Sequence, residues 1–174
     1  IDITACRNLE NQLVRNHAFL EDLSNSIPGF IYQFQLFPDG SSCVPFASKG
    51  LQTLMGISPE AVIKDAAPIL AIIHPEDADK LDRSIRESAS LLSDWYFEFR
   101  VIVEKGEIRW LHAQSKPERQ DNGSIIWNGY ATNITELKNA SLRFEALLDS
   151  ASDGIHILDT DGNIVHFSRS FAKM

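Results

Sequence analysis

Hydrophobic and polar residues alternate most regularly between Trp95 and Lys138. Phe97, Phe99 and Val101 alternate with Glu98 and Arg100, a period of two that marks a strand with one buried face. Farther on, Leu111 and Ala113 fall opposite Trp110, His112 and Gln114, and another strand-like run ends at Asn133. Lys105-Gly106 and Asp121-Asn122-Gly123 interrupt these runs with residues that tolerate the positive φ of hairpin connections. The pattern predicts an antiparallel meander that passes at Ile134 straight into helical spacing. Upstream, Phe30, Tyr32, Phe34 and Leu36 alternate with Gln33 and Gln35, and Pro38-Asp39-Gly40 turns the chain into a second strand ending near Ser48. Short helical pieces follow around Leu51 to Met55, Glu60 to Lys64 and from Pro68. A longer helix is predicted from His74-Pro75-Glu76-Asp77 to about Leu92, because Pro suits a first helical turn and acids favour the positive helix end. Strands, then helices, then strands describe an α+β domain: a five-stranded antiparallel sheet with short helices on one face.

The two ends of the chain carry helical repeats. Cys6, Leu13, Leu20 and Ile27 recur every seven residues, with Leu9 and Leu23 between them and Asn16 at the remaining inner position. This spacing fits a coiled coil, in which an inner Asn fixes register, and equally an amphipathic helix lying on its own sheet. Toward the other end, Leu137, Phe144 and Ala151 keep seven-residue spacing, with Ala140 and Leu147 between. The chain then echoes itself: Phe19, Leu23, Gly29, Phe30 and Tyr32 return at a constant offset as Phe144, Leu148, Gly154, Ile155 and Ile157. The expected organisation is an N-terminal amphipathic helix over 1–23, a domain over 24–138, and a linker helix with an incomplete repeat over 139–174.

Composition narrows the partners. A net charge of −8 and a pI near 5.0 argue against nucleic acid and against an anionic membrane surface, which demand a basic footprint. No apolar run is long enough to span a bilayer, so no membrane contact is expected of this segment. The chain starts at Ile1 without methionine, which reads as a fragment whose parent has room for an upstream membrane anchor. Cys6 and Cys43 match no metal or redox spacing and fit a reducing cytoplasm. The histidines at 17, 74, 112, 156 and 166 lack metal-ligand spacing, and neither a phosphate loop nor a nucleophile elbow is present, so no catalytic or metal residue is assigned. His74 reads as a helix cap before Pro75.

Over residues 24 to 138 the chain resembles the PAS domain, and more closely the subgroup with a PAC-type ending. The resemblance rests on Pro28-Gly29-Phe30-Ile31-Tyr32, Phe46-Ala47-Ser48, Leu54-Met55-Gly56, His74-Pro75-Glu76-Asp77, Glu98-Phe99-Arg100, Arg109-Trp110, Gly129 and Asn133-Ile134-Thr135-Glu136-Leu137-Lys138. It departs at Asn133, where the family usually carries Asp. Residues 144 to 174 resemble the first third of a second PAS domain. Haem-binding members place a histidine on the long helix, but Asp77 to Leu92 has none; flavin-binding members place a reactive cysteine where Ala67 to Ile72 stand here, without cysteine. The resemblance therefore implies neither haem nor covalent flavin, and leaves any cofactor unnamed.

PAS domains form a cavity between the inner sheet face and the helices. By alternation the inner residues are Tyr32, Phe34, Phe97, Phe99, Val101, Leu111, Ala113, Trp127, Gly129 and Ala131, with Ile69 and Ile72 opposite. Gly129 and the two alanines leave space, and Tyr32 and Trp127 each offer a donor to a small-molecule ligand. The plainer reading is that the same residues simply fill the core, as any small α+β domain needs an aromatic-rich inner face. On the outer face, Trp110, His112, Ile126 and Tyr130 form an apolar patch of the kind that marks a contact surface. A homodimer is expected through Leu9, Leu13, Leu20 and Leu23 together with Trp110 and Tyr130. The resemblance further implies a cytoplasmic sensor module that relays a cue through Asn133, Thr135 and Glu136 into the following helix. An output domain in cis is expected, a diguanylate cyclase or a histidine kinase, with the Asp153-Gly154-Ile155-His156-Ile157-Leu158-Asp159 segment tilting toward the cyclase. The alternative is a ligand-free dimerisation spacer.

Overall fold

The computed structural model describes residues 28–150, 156–158 and 164–167. The heptad segment with Leu9, Leu13, Leu20 and Leu23 lies outside them, as do the turns of the C-terminal repeat. The chain divides into two units, Ile1–Ile134 and Thr135–Met174.

In the first unit, strands β1 (Gly29–Leu36) and β2 (Ser42–Ala47) form a hairpin. Three short pieces follow: helix α1 (Gly50–Met55), a 3-10 turn (Pro59–Val62) and helix α2 (Ala67–Leu70). The long helix α3 (Pro75–Leu91) then leads into β3 (Trp95–Ile102), β4 (Ile108–Arg119) and β5 (Ile125–Asn133). The sheet order is β2-β1-β5-β4-β3 with every pairing antiparallel, so the last strand closes against the first at the centre. The second unit holds helix α4 (Thr135–Ser150) and the hairpin of β6 (His156–Leu158) and β7 (Ile164–Phe167).

The alternation read from the sequence sets the faces. Trp95, Phe99 and Val101 on β3, Leu111, Ala113 and Ser115 on β4, and Ile125, Trp127 and Ala131 on β5 are buried, while the intervening side chains face outward. The β3–β4 turn takes positive φ at Lys105 (62°) and Gly106 (78°), as the Lys-Gly break predicts.

Helix α3 is fixed to the sheet at both ends. At its start the His74 ring accepts the Glu76 amide at 3.3 Å, the capping role expected of it. Asp77, one turn in, accepts from the Arg100 amide and guanidinium at 2.7–2.9 Å. Backbone bonds from His74 N to Arg100 O and from Ile102 N to Ile72 O cover the otherwise open edge of β3, the part of a sheet most exposed to unwanted pairing. At its far end Ser84 and Ser88 accept the indole N–H groups of Trp95 and Trp127, each at 3.0 Å.

Candidate functional site

Two alanines stand side by side at the middle of the inner sheet face. Ala113 and Ala131 pair across β4 and β5, with Phe30 beyond Ala131 and Phe97 beyond Ala113. Methyl groups there cannot reach the helices, and an apolar cavity of about 90 Å³ remains above them. Its floor is Tyr32 and Phe34 from β1, Phe99 from β3, and Ala113, Trp127 and Ala131 from the central strands. Ile69 from α2 joins the wall. Phe34 and Trp127 meet at 5.7 Å between ring centroids, Phe30 and Tyr32 at 5.8 Å.

Five of the residues expected at the cavity do not line it. Val101 and Leu111 are fully buried in the core beside it. Phe97 is half-buried between the rings of Trp95 and Phe99, and Ile72 packs on the core's edge. Gly129 leaves no space for a ligand. A Cβ there would fall against the Gln114 carbonyl and the Ser115 Cβ, so the glycine answers the close approach of β4. Trp127 offers no free donor either, because its indole N–H is held by Ser88.

Other lining residues went unassigned in the sequence. Trp95 and Ser115 extend the same alternations by one step, and Leu81 and Ile85 share the inward face of α3 at four-residue spacing. These signals were legible. Val44, Met55 and Ile73 also contribute, from segments whose spacing is too irregular to name a face.

The cavity's polar content lies on one rung. Tyr32, Gly129, Ser115 and Trp95 are consecutive partners across β1, β5, β4 and β3. With no side chain at Gly129, the Tyr32 phenol and the Ser115 hydroxyl face each other. Burial pushes the Tyr32 phenol up to about 12, and Ser115 offsets this only slightly. Ser115 Oγ itself is buried and completes no hydrogen bond of acceptable geometry. Haem and flavin do not fit this space: the volume is below the roughly 150 Å³ that admits benzene, and no histidine or charged group lines it.

The residues expected to relay a cue stand at the end of β5 and the start of α4. Asn133 ends β5 opposite Leu111, and Ile134 N donates to Trp110 O at 2.9 Å; Thr135 and Glu136 open α4. On the outer face Trp110 lies under the Arg100 guanidinium at 5.4 Å. Tyr130 donates to Gln114, and His112 approaches Glu98 at 3.9 Å. The patch is thus partly polar. Among the described residues no helix is long and apolar enough to cross a membrane.

The PAS fold model matches residues 44–131, about half of the chain, and a PAS domain model matches residues 142–174. The chain belongs to the PAS family. Its five-stranded α+β architecture is that of the N-terminal domain of a diguanylate cyclase with PAS/PAC sensor from Marinobacter aquaeolei, with a TM-score of 0.52 over 62% of this chain and 98% of that one at 15% identity. An uncharacterized protein, y4lL, of Sinorhizobium fredii is 25% identical over 97% of this chain and 21% of its own length. The methyl sulfide methyltransferase-associated sensor of Methanosarcina acetivorans is 28% identical over 56% of this chain and 10% of its own. This PAS chain therefore spans about a fifth or less of these curated relatives.

Proposed function

We propose that this chain is a sensory PAS module of a multidomain signalling protein, in which a small molecule in the cavity biases the junction between β5 and α4. The observation that carries the reading is the apolar cavity of about 90 Å³ between the inner sheet face and the helices. Ligand sites are concave, mostly apolar and furnished with few polar groups, and this cavity has that character. The fragment does no chemistry of its own. Its output lies in cis, in a diguanylate cyclase or histidine kinase, and the sensor and cyclase names carried by the similar proteins support this class. Residues 139–174 begin a second PAS domain behind a linker helix, a reading supported by the second family match. The module works as a cytoplasmic homodimer, with Asn133, Thr135 and Glu136 passing strain from sheet to helix.

One observation favours a ligand-free spacer instead: the aromatic inner face leaves little volume. Native mass spectrometry of the purified chain separates the two. The sensor reading expects an added mass that departs on denaturation and is absent in Ala131→Leu, whose side chain would fill the cavity at little cost in stability. A clean protein mass, with Ala131→Leu destabilised by the about 1–3 kcal/mol of an overpacked core, would establish the spacer.

A further inference from the structure

The cavity wall is carbon almost throughout, and the indole N–H groups of Trp95 and Trp127 are engaged by Ser84 and Ser88. What remains is Ser115, 3% exposed, whose hydroxyl completes no hydrogen bond of acceptable geometry, and beside it the Tyr32 hydroxyl, which it approaches. A buried polar group without a partner costs free energy in proportion to its lost hydration, so a native fold retains one where something else completes it. We propose that the cavity takes an uncharged, largely apolar molecule of a few heavy atoms that presents one oxygen acceptor to Ser115 and Tyr32. This rests on the cavity being a ligand site.

Each part of that description follows from the wall. Size follows from the volume, smaller than a benzene-sized void. Neutrality follows from the lack of any charged lining residue, since an ion buried without a counter-charge is strongly disfavoured. The single acceptor follows from two hydroxyls converging on one rung, both able to donate. Tyr32 remains a protonated donor throughout the neutral range. Short-chain ketones, aldehydes and alcohols have this chemistry; carboxylates of the same size do not.

The test is a titration of the 174-residue chain with xenon, acetone and acetate, followed through the methyl resonances of Ala113 and Ala131. Saturable shifts are expected with xenon and with acetone, and binding at least about tenfold weaker with acetate, which matches acetone in size but would bury a charge. Ser115→Ala and Tyr32→Phe should each weaken acetone by about two- to tenfold, the worth of one hydrogen bond, while xenon binding stays within about twofold. Xenon also reports that each variant is folded around an intact cavity. If xenon binds but acetone is indifferent to both substitutions, a water molecule suffices for Ser115 and the polar seat is wrong. If neither probe moves the methyl resonances, the cavity is not a binding site and the sensor reading fails with it.

Discussion

Asp77 and Arg100 show how far single residues could be read in advance. Both stand in motifs visible in the sequence, His74-Pro75-Glu76-Asp77 and Glu98-Phe99-Arg100, yet nothing in either spacing pairs them. The register of β3 against the start of α3 does so, and alternation cannot supply it. The pairing holds the Asp77 carboxyl well below its usual range, at about 2, chiefly through the Arg100 hydrogen bonds. A carboxyl depressed on folding stabilises above its unfolded pKa, 3.8 here, and that stability is lost as pH falls through the folded value. Arg100→Met should therefore cost about 1.5–3 kcal/mol near pH 7, with the gap to the unmodified chain closing between pH 3.8 and about 2. Urea unfolding across that range measures it; a gap independent of pH would mean that the guanidinium acts through its packing on Trp110. Gly129 taught the opposite lesson. Its smallness was visible, but whether that space belonged to a ligand or to β4 depended on strand separation. Gly129→Ala should disrupt the β4–β5 ladder and cost at least about 2 kcal/mol, where an open cavity floor would have accepted the methyl group.

At the scale of elements, the strands and their faces were legible because one buried face imposes a period of two that no helix reproduces. The four-residue spacing of Leu81 and Ile85 marks the inward side of α3 just as legibly, whereas the pairing of Ser84 and Ser88 with the two tryptophans depends on how the helix lies on the sheet. The end of α3 near Leu92 was legible, but the way the helix closes there was not. Leu92 closes the helix in the left-handed region, at φ 49° and ψ 38°, where a glycine is the usual choice. Leu92 is 43% exposed, so little packing offsets this strain. Leu92→Gly removes the penalty of roughly 1–2 kcal/mol for an L-residue in that region, less the larger unfolded-state entropy of glycine. The urea midpoint should rise by the equivalent of about 0.5–1 kcal/mol. A fall would show that the Leu92 side chain contributes packing its exposure does not reveal.

At the scale of the molecule, the outer sheet face is one of two places where the proposed dimer can be tested. It was expected as an apolar patch, but cross-strand polar pairs break it: Arg100 covers Trp110, and Gln114 takes the Tyr130 hydroxyl. Side chains one position apart on a strand are easily assigned to a face, whereas their partners on the next strand need the register. What stays open is largely aromatic, with Tyr96 of β3 74% and Tyr130 of β5 39% exposed on either side of β4, whose Ile108 is 46% exposed. Tyrosine is the kind of side chain that anchors interfaces, because it buries a large ring at small entropic cost. If the dimer forms through this face, replacing both Tyr96 and Tyr130 by Asp should weaken self-association at least about tenfold in sedimentation equilibrium, since two carboxylates would have to be desolvated at the contact. The unfolding midpoint should stay nearly unchanged, as surface substitutions away from the core ordinarily leave it. Undiminished association would remove the sheet face from the dimer and leave the heptad of residues 6 to 27 as the contact, so that any signal would travel along helices without crossing the outer sheet.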